Sequence, residues 1–277
     1  MRRAGAARGS GALAAPYVGW MAVFIAVPLL LMVVYAFTGQ EGGFTLENFT
    51  RMLDYAGVFG RSLWLAALAT VICLLVGYPL AYALSRERDR IQSSAMLLIM
   101  LPMWINMLLR TYAWISLLER GGLINRFLGL FNLGPFQMID TPGAVVLGMV
   151  YNYLPFMILP VFTVIQKIDR SLIEAAQDLG GGSVTVFRRV VFPLSLPGVL
   201  SGITMVFVPS VSTFIISRLL GGGKSLLLGD LIEMQFLGNA YNPFLGSAIS
   251  LVMMVIVLVC MAVMNRFGEG EEEVVML

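Results

Sequence analysis

The sequence predicts an all-α integral membrane protein with six transmembrane helices, and three observations lead to that class. Of the 277 residues, 58% are hydrophobic and only 12% are charged, where a soluble domain carries about a quarter charged. The mean hydropathy is +0.86, so most of the chain prefers a non-aqueous solvent. The apolar residues also fall into six runs of roughly 20 residues, the length of helix that crosses a hydrocarbon layer. Too little sequence remains for a separate soluble domain of typical size. The expected organisation is an N-terminal tail at 1–15, one transmembrane domain over 16–267 and an acidic C-terminal tail at 268–277.

The six spans follow from where charge or Gly/Pro clusters interrupt the apolar runs. The first, 16–37, follows Arg2, Arg3 and Arg8; its run is far longer than a signal peptide's apolar core, so it reads as an uncleaved helix. The others are 62–84, 94–118, 142–165, 197–220 and 244–264. With the N-terminus inside, the inner segments hold Arg2, Arg3, Arg8, Arg86, Arg88, Arg90, Lys167, Arg170, Arg188, Arg189 and Arg266, against Arg51, Arg61, Arg120, Arg126 and Lys224 outside. That excess places both termini in the cytoplasm. Arg110 and Arg218 fall within spans, where snorkelling or a helix–helix bond is the default role.

Composition excludes several functions. A net charge of +2 gives no basic field for nucleic acid. The chain has no histidine, which removes His-type zinc sites and His-based triads. Cys73 and Cys260 lie inside apolar runs and read as small packing residues. All 16 acidic residues fall in the expected loops and tails, which disfavours both a membrane-embedded enzyme and an ion-coupled secondary transporter. No internal repeat marks two homologous halves. Gly221-Gly222-Gly223-Lys224-Ser225 looks like a nucleotide loop, but Arg218 stands where that motif needs Gly and no strand precedes it.

The inner loop at 167–196 carries the most pattern. Ser171 followed by Glu174 is a capping-box spacing that predicts a helix start. Leu172, Ala175, Ala176 and Leu179 recur at helical spacing as one apolar face, and Gly180-Gly181-Gly182 end the helix. A second helical stretch, 183–191, is expected to stop at Pro193 and Pro197. Periodicity alone allows either a connector resting on lipid headgroups or a docking knob for a cytoplasmic partner.

Glu174, Ala175, Ala176 and Gly180, with Val190, Phe192 and Pro193 closing the segment, resemble the EAA loop of ABC-importer permeases. The family usually has Ile and Leu where Val190 and Phe192 stand. The runs 101–114, 151–157 and 206–210, with Gly221-Gly222-Gly223, resemble the PotB-type branch serving spermidine and putrescine importers. The resemblance implies the type I ABC importer permease fold in a bacterial inner membrane. It assigns ATPase coupling to Ser171, Glu174, Ala175, Ala176, Gly180 and Pro193. The implied partners are a second, PotC-type permease, two copies of a cytoplasmic ATPase that hold the ATP and magnesium, and an extracytoplasmic polyamine-binding protein. This chain would itself hold no cofactor and catalyse no reaction.

For a polyamine path the chain offers aromatic faces and hydroxyls: Trp104, Tyr112, Trp114, Tyr151 and Tyr153. Cation–π contact of about 0.5–2 kcal/mol each suits a conduit that must release its cargo. The competing reading makes them interface-belt and packing aromatics. Asp230 and Glu233, three apart after the fifth span, face the entrance or the binding protein in one reading and form a solvated loop pair in the other.

Overall fold

The structure, a computed structural model, describes residues 16–223, 226–238 and 240–275, without the side chains of 265 and 267–275. Arg2, Arg3, Arg8, Lys224, Ser225 and the side chains of the acidic tail therefore lie outside the described residues. Helices account for the architecture: α1 (Pro16–Ala36), α2 (Glu47–Ser85), α3 (Asp89–Trp104), α4 (Met107–Leu118), α5 (Leu123–Gly129), α6 (Pro142–Gln166), α7 (Arg170–Asp178), α8 (Ser183–Ser212), α9 (Ile215–Leu220), α10 (Leu228–Leu237) and α11 (Pro243–Val275). Five are long and apolar enough to span, and the bent succession from α3 into α4 and α5 makes a sixth. The chain forms two compact units, one holding residues up to Ala56 with Ile232–Val255, the other Gly57–Leu231 with residues from Ile256 on.

In the first unit, Asn48 at the start of α2 donates to the carbonyls of Ala36 and Thr38, at 3.0 and 2.9 Å, and so ties the end of α1 to the following helix. A β-bridge between Thr38 and Phe44 closes the turn between them.

In the second unit, α6 and α8 cross closely because α8 presents Gly198 and Gly202 four residues apart, the small-residue spacing that lets membrane helices approach. A Cβ on Gly198 would sit 2.9 Å from the Pro160 carbonyl oxygen, and one on Gly202 would sit 2.7 Å from the Met157 sulfur. Around this crossing lies a core of Cys73, Tyr78, Ala81, Met157, Ile158, Val161, Val199 and Val206. A second core gathers Leu65, Ala69, Val145, Met149, Ile216, Leu220 and Leu227. One buried polar pair links distant parts of the chain: the Tyr78 and Ser195 hydroxyls lie 2.8 Å apart, and Ser195 donates to the Phe192 carbonyl.

Two expected spans differ in form. The run 94–118 is broken at Ile105–Asn106 and bent by 91°. Asn106 causes the break: its side-chain oxygen accepts from the Leu108 N–H at 2.8 Å, capping a new helix, while Ile105 is extended. The fifth span begins earlier and ends earlier than 197–220. Pro193 and Pro197 do not stop it, because α8 runs unbroken from Ser183 to Ser212. A π-helical turn at Phe187–Val191 precedes Pro193, and this wider turn accommodates a ring that an α-helical ladder would reject. The chain leaves α8 at Thr213, which is extended, and resumes as the separate short helix α9.

Candidate functional site

The inner loop is built around α7. Its first donors are capped by Asp169, not by a Ser171/Glu174 box: the Asp169 carboxylate accepts from the Ser171 N–H at 2.9 Å, and the helix begins at Arg170. Asp169 wins because it stands directly outside the first turn with extended backbone, the N-cap geometry. Its bonds to Ser171 hold the carboxyl below the usual carboxylate range. At the other end Gly180 adopts φ +82°, and the Gly181 N–H returns to the Ala176 carbonyl at 3.0 Å. This is a left-handed C-terminal closure that glycine takes without strain.

The expected single apolar face divides in two. Ile173 and Ala176 pack against the core beside Tyr78, Phe162, Ile165 and Val186. Leu172, Ala175 and Leu179, at i, i+3 and i+7, form a separate stripe that stays exposed, Leu179 at 89%. Glu174 is exposed and lines a cavity of about 510 Å³ with Arg86, Asp89, Gln92, Gln166 and Arg170. The C-terminal half of the motif lies within α8: Val190 and Pro193 are half-buried, and the Phe192 ring rests 5.9 Å from that of Tyr78.

Sequence reasoning missed what holds this loop to the spans. Gln92, buried at the start of α3, donates to the carbonyls of Glu87 at 2.8 Å and Ser85 at 3.4 Å and accepts from the Gln166 side chain. One amide thus joins the end of α2, the start of α3 and the end of α6, four residues before α7 begins. A polar residue facing inward near a helix end was the available signal, but its partner is distant in sequence.

The aromatic candidates separate into groups. Trp114 and Tyr151 are half-buried and meet edge to face at 5.4 Å, as packing aromatics do. The Tyr153 hydroxyl reaches the Pro209 carbonyl at 3.5 Å, beside Thr213 and within electrostatic range of Arg110. Trp104, at the break, is 87% exposed and Tyr112 is exposed as well. Arg110 does not simply snorkel, for its Nε and Nη1 are enclosed without a hydrogen-bond partner. Asp230 is buried within α10, where its carboxylate accepts from the Leu227 N–H at 3.0 Å, and the Leu228 N–H goes to the Ser62 hydroxyl at 2.8 Å. Helix capping in a packed setting, not a solvated loop, accounts for that acid. Glu233 is half-buried.

A profile of the family described as binding-protein-dependent transport system inner membrane component matches residues 74–269. The spermidine/putrescine transport system permease protein PotB of Escherichia coli (strain K12) is 37% identical over 250 residues, covering 86% of this chain and 90% of the relative. Its counterpart in Haemophilus influenzae is 37% identical over 258 residues, covering 89% and 90%. Among solved structures, a bacterial ABC transporter involved in the import of the acidic polysaccharide alginate superposes with a TM-score of 0.80 at 15% identity, covering 93% of this chain and 94% of that one. The MetNI methionine ABC transporter in an inward-facing conformation gives 0.58 at 16% identity, with 79% and 96% covered. Both structural likenesses show the shared fold.

Proposed function

The chain belongs to the binding-protein-dependent transport system inner membrane component family, and we propose that it is the permease subunit of an ATP-driven importer moving spermidine or putrescine into the cytoplasm. Cargo arrives from an extracytoplasmic binding protein. A second, PotC-type permease completes the path, and two copies of a separate ATPase hold ATP and magnesium and hydrolyse the nucleotide. Both termini lie in the cytoplasm, as the Lys/Arg bias requires. The polyamine assignment takes its support from the relatives named PotB.

The observation that carries the coupling role is the geometry of α7. One face, Ile173 and Ala176, is fixed to the spans, and the adjoining stripe of Leu172, Ala175 and Leu179 is left exposed for a partner. A short helix held on one side and open on the other transmits a push as a rigid body. Glu174 stands on the exposed charged side of the same helix, Ser171 lies in its first turn and Gly180 closes its C-terminal end, while Pro193 follows the π turn inside α8.

The test is reconstitution of the assembled transporter with Leu179→Glu, Glu174→Ala and Gly180→Val. Gly180→Val is expected to cost about 1–2 kcal/mol locally through its positive φ, and each variant should lower cargo-stimulated ATP hydrolysis and uptake at least fivefold while membrane insertion persists. Full stimulation in all three would sink the assignment. Competition uptake with labelled spermidine and putrescine checks the cargo, and indifference to both would point to a permease for another small solute.

A further inference from the structure

The unit that holds α1 and the start of α11 divides its charges between the two ends of α1. Arg2, Arg3 and Arg8 precede that helix, while past it, over 37–56 and 232–255, the acids are Glu41, Glu47, Asp54 and Glu233 and the one base is Arg51. Arg51 is moreover bound to Glu47 at 2.6 Å. Within this unit lies a cavity of about 580 Å³ lined by Tyr35, Gln40, Tyr241, Asn242, Pro243 and Phe244, three rings and two amides without a charged wall.

The rings are set as walls and not as a stack. Tyr35 and Phe244 have centroids 5.6 Å apart with planes at 60°. Tyr35 is 43% and Tyr241 69% exposed, so their faces are not consumed by packing. The rim is fixed by backbone bonds: Asn242 donates to the Gln235 carbonyl, its own carbonyl accepts from Gly246, and its side chain accepts from the Leu245 N–H.

We propose that this pocket is a receiving site for the ammonium head of an aliphatic polyamine, on the side of the membrane where cargo enters. It rests on the polyamine reading above and on the orientation with cytoplasmic termini, which places the end of α1 and the start of α11 outside. The acids past the end of α1 draw a polycation at long range. The ring faces hold its ammonium at short range, and the absence of a carboxylate in the lining leaves it free to move on. Each exposed ring is worth about a two- to fivefold change in affinity.

The assembled transporter in nanodiscs, without binding protein, is titrated with putrescine and followed by saturation-transfer NMR. Tyr35→Leu and Tyr241→Leu should each weaken binding about two- to fivefold, and Tyr241→Phe, which keeps the ring, should bind as the wild type does. Uncharged 1,4-butanediol should bind much more weakly than putrescine. Unchanged binding in both leucine variants, or equal binding of butanediol, overturns the site. Loss of binding in Tyr241→Phe also overturns it, since a hydroxyl and not a ring face would then be the ligand. Competition uptake by the wild type separates the two failures: if putrescine is transported and the leucine variants bind it normally, the pocket is wrong and the cargo right. If putrescine is neither bound nor transported, the cargo reading itself has failed.

Discussion

Asp169 is the residue on which the form of the inner loop depends. Because its carboxylate caps α7 most strongly when ionised, and is held below the usual carboxylate range, the charge-assisted part of the cap contributes fully above the unfolded-state pKa. It is lost as pH falls through the lower, folded-state value. Exchange protection of the Ser171 amide should therefore be strongest at neutral pH and weaken in that acidic window. Asp169→Asn, which caps without ionising, should keep protection across it; Asp169→Ala should lose it at every pH. A protection profile in the wild type that ignores pH would contradict this account. Glu174 is then released from the capping task that its spacing after Ser171 suggested, and its side chain stands exposed at the mouth of a cavity.

Among the elements, α6 and α8 cross in a contact that leaves little room. A Cβ at Gly198 meets the backbone oxygen of Pro160, which cannot move without bending α6, whereas a Cβ at Gly202 first meets the flexible end of Met157. Gly198→Ala should accordingly destabilise the detergent-solubilised assembly by about 1–3 kcal/mol, and more than Gly202→Ala does, as thermal unfolding of the two variants would show. Equal costs would mean that the Met157 side chain does not yield. The helices themselves were legible in the sequence wherever the cue was a long apolar run, as for 142–165, or a glycine stop, as after Leu179. They were misjudged where local chemistry overruled the run. Asn106 divides 94–118 because its side chain offers a cap at mid-run, and the π turn at Phe187–Val191 lets α8 continue past prolines that ordinarily end a helix. Asp230 follows the apolar run that ends at Leu220 and so reads from sequence as a loop acid, yet it is buried in α10 and its bond to Leu227 gives it a capping role there.

For the whole molecule, the charge bias along the sequence predicts a vectorial arrangement that labelling can check. With termini inside, a cysteine introduced at Gln40 should react with a membrane-impermeant maleimide added to intact cells, and one at Leu179 should react only after the membrane is opened. The reverse pattern would invert the assignment of coupling loop and cargo entrance together. The break between α3 and α4 adds a constraint of another kind. At Trp104, Ile105 and Asn106 the helix is interrupted in the middle of a segment long enough to cross the bilayer, and all three residues are exposed. Hydrocarbon tails offer no partner to the peptide groups that a broken helix leaves open, so an interruption at that depth is stable only against water or against protein. At bilayer depth the break calls for protein or water in place of lipid, the contact that a second permease subunit or a hydrated lumen would supply.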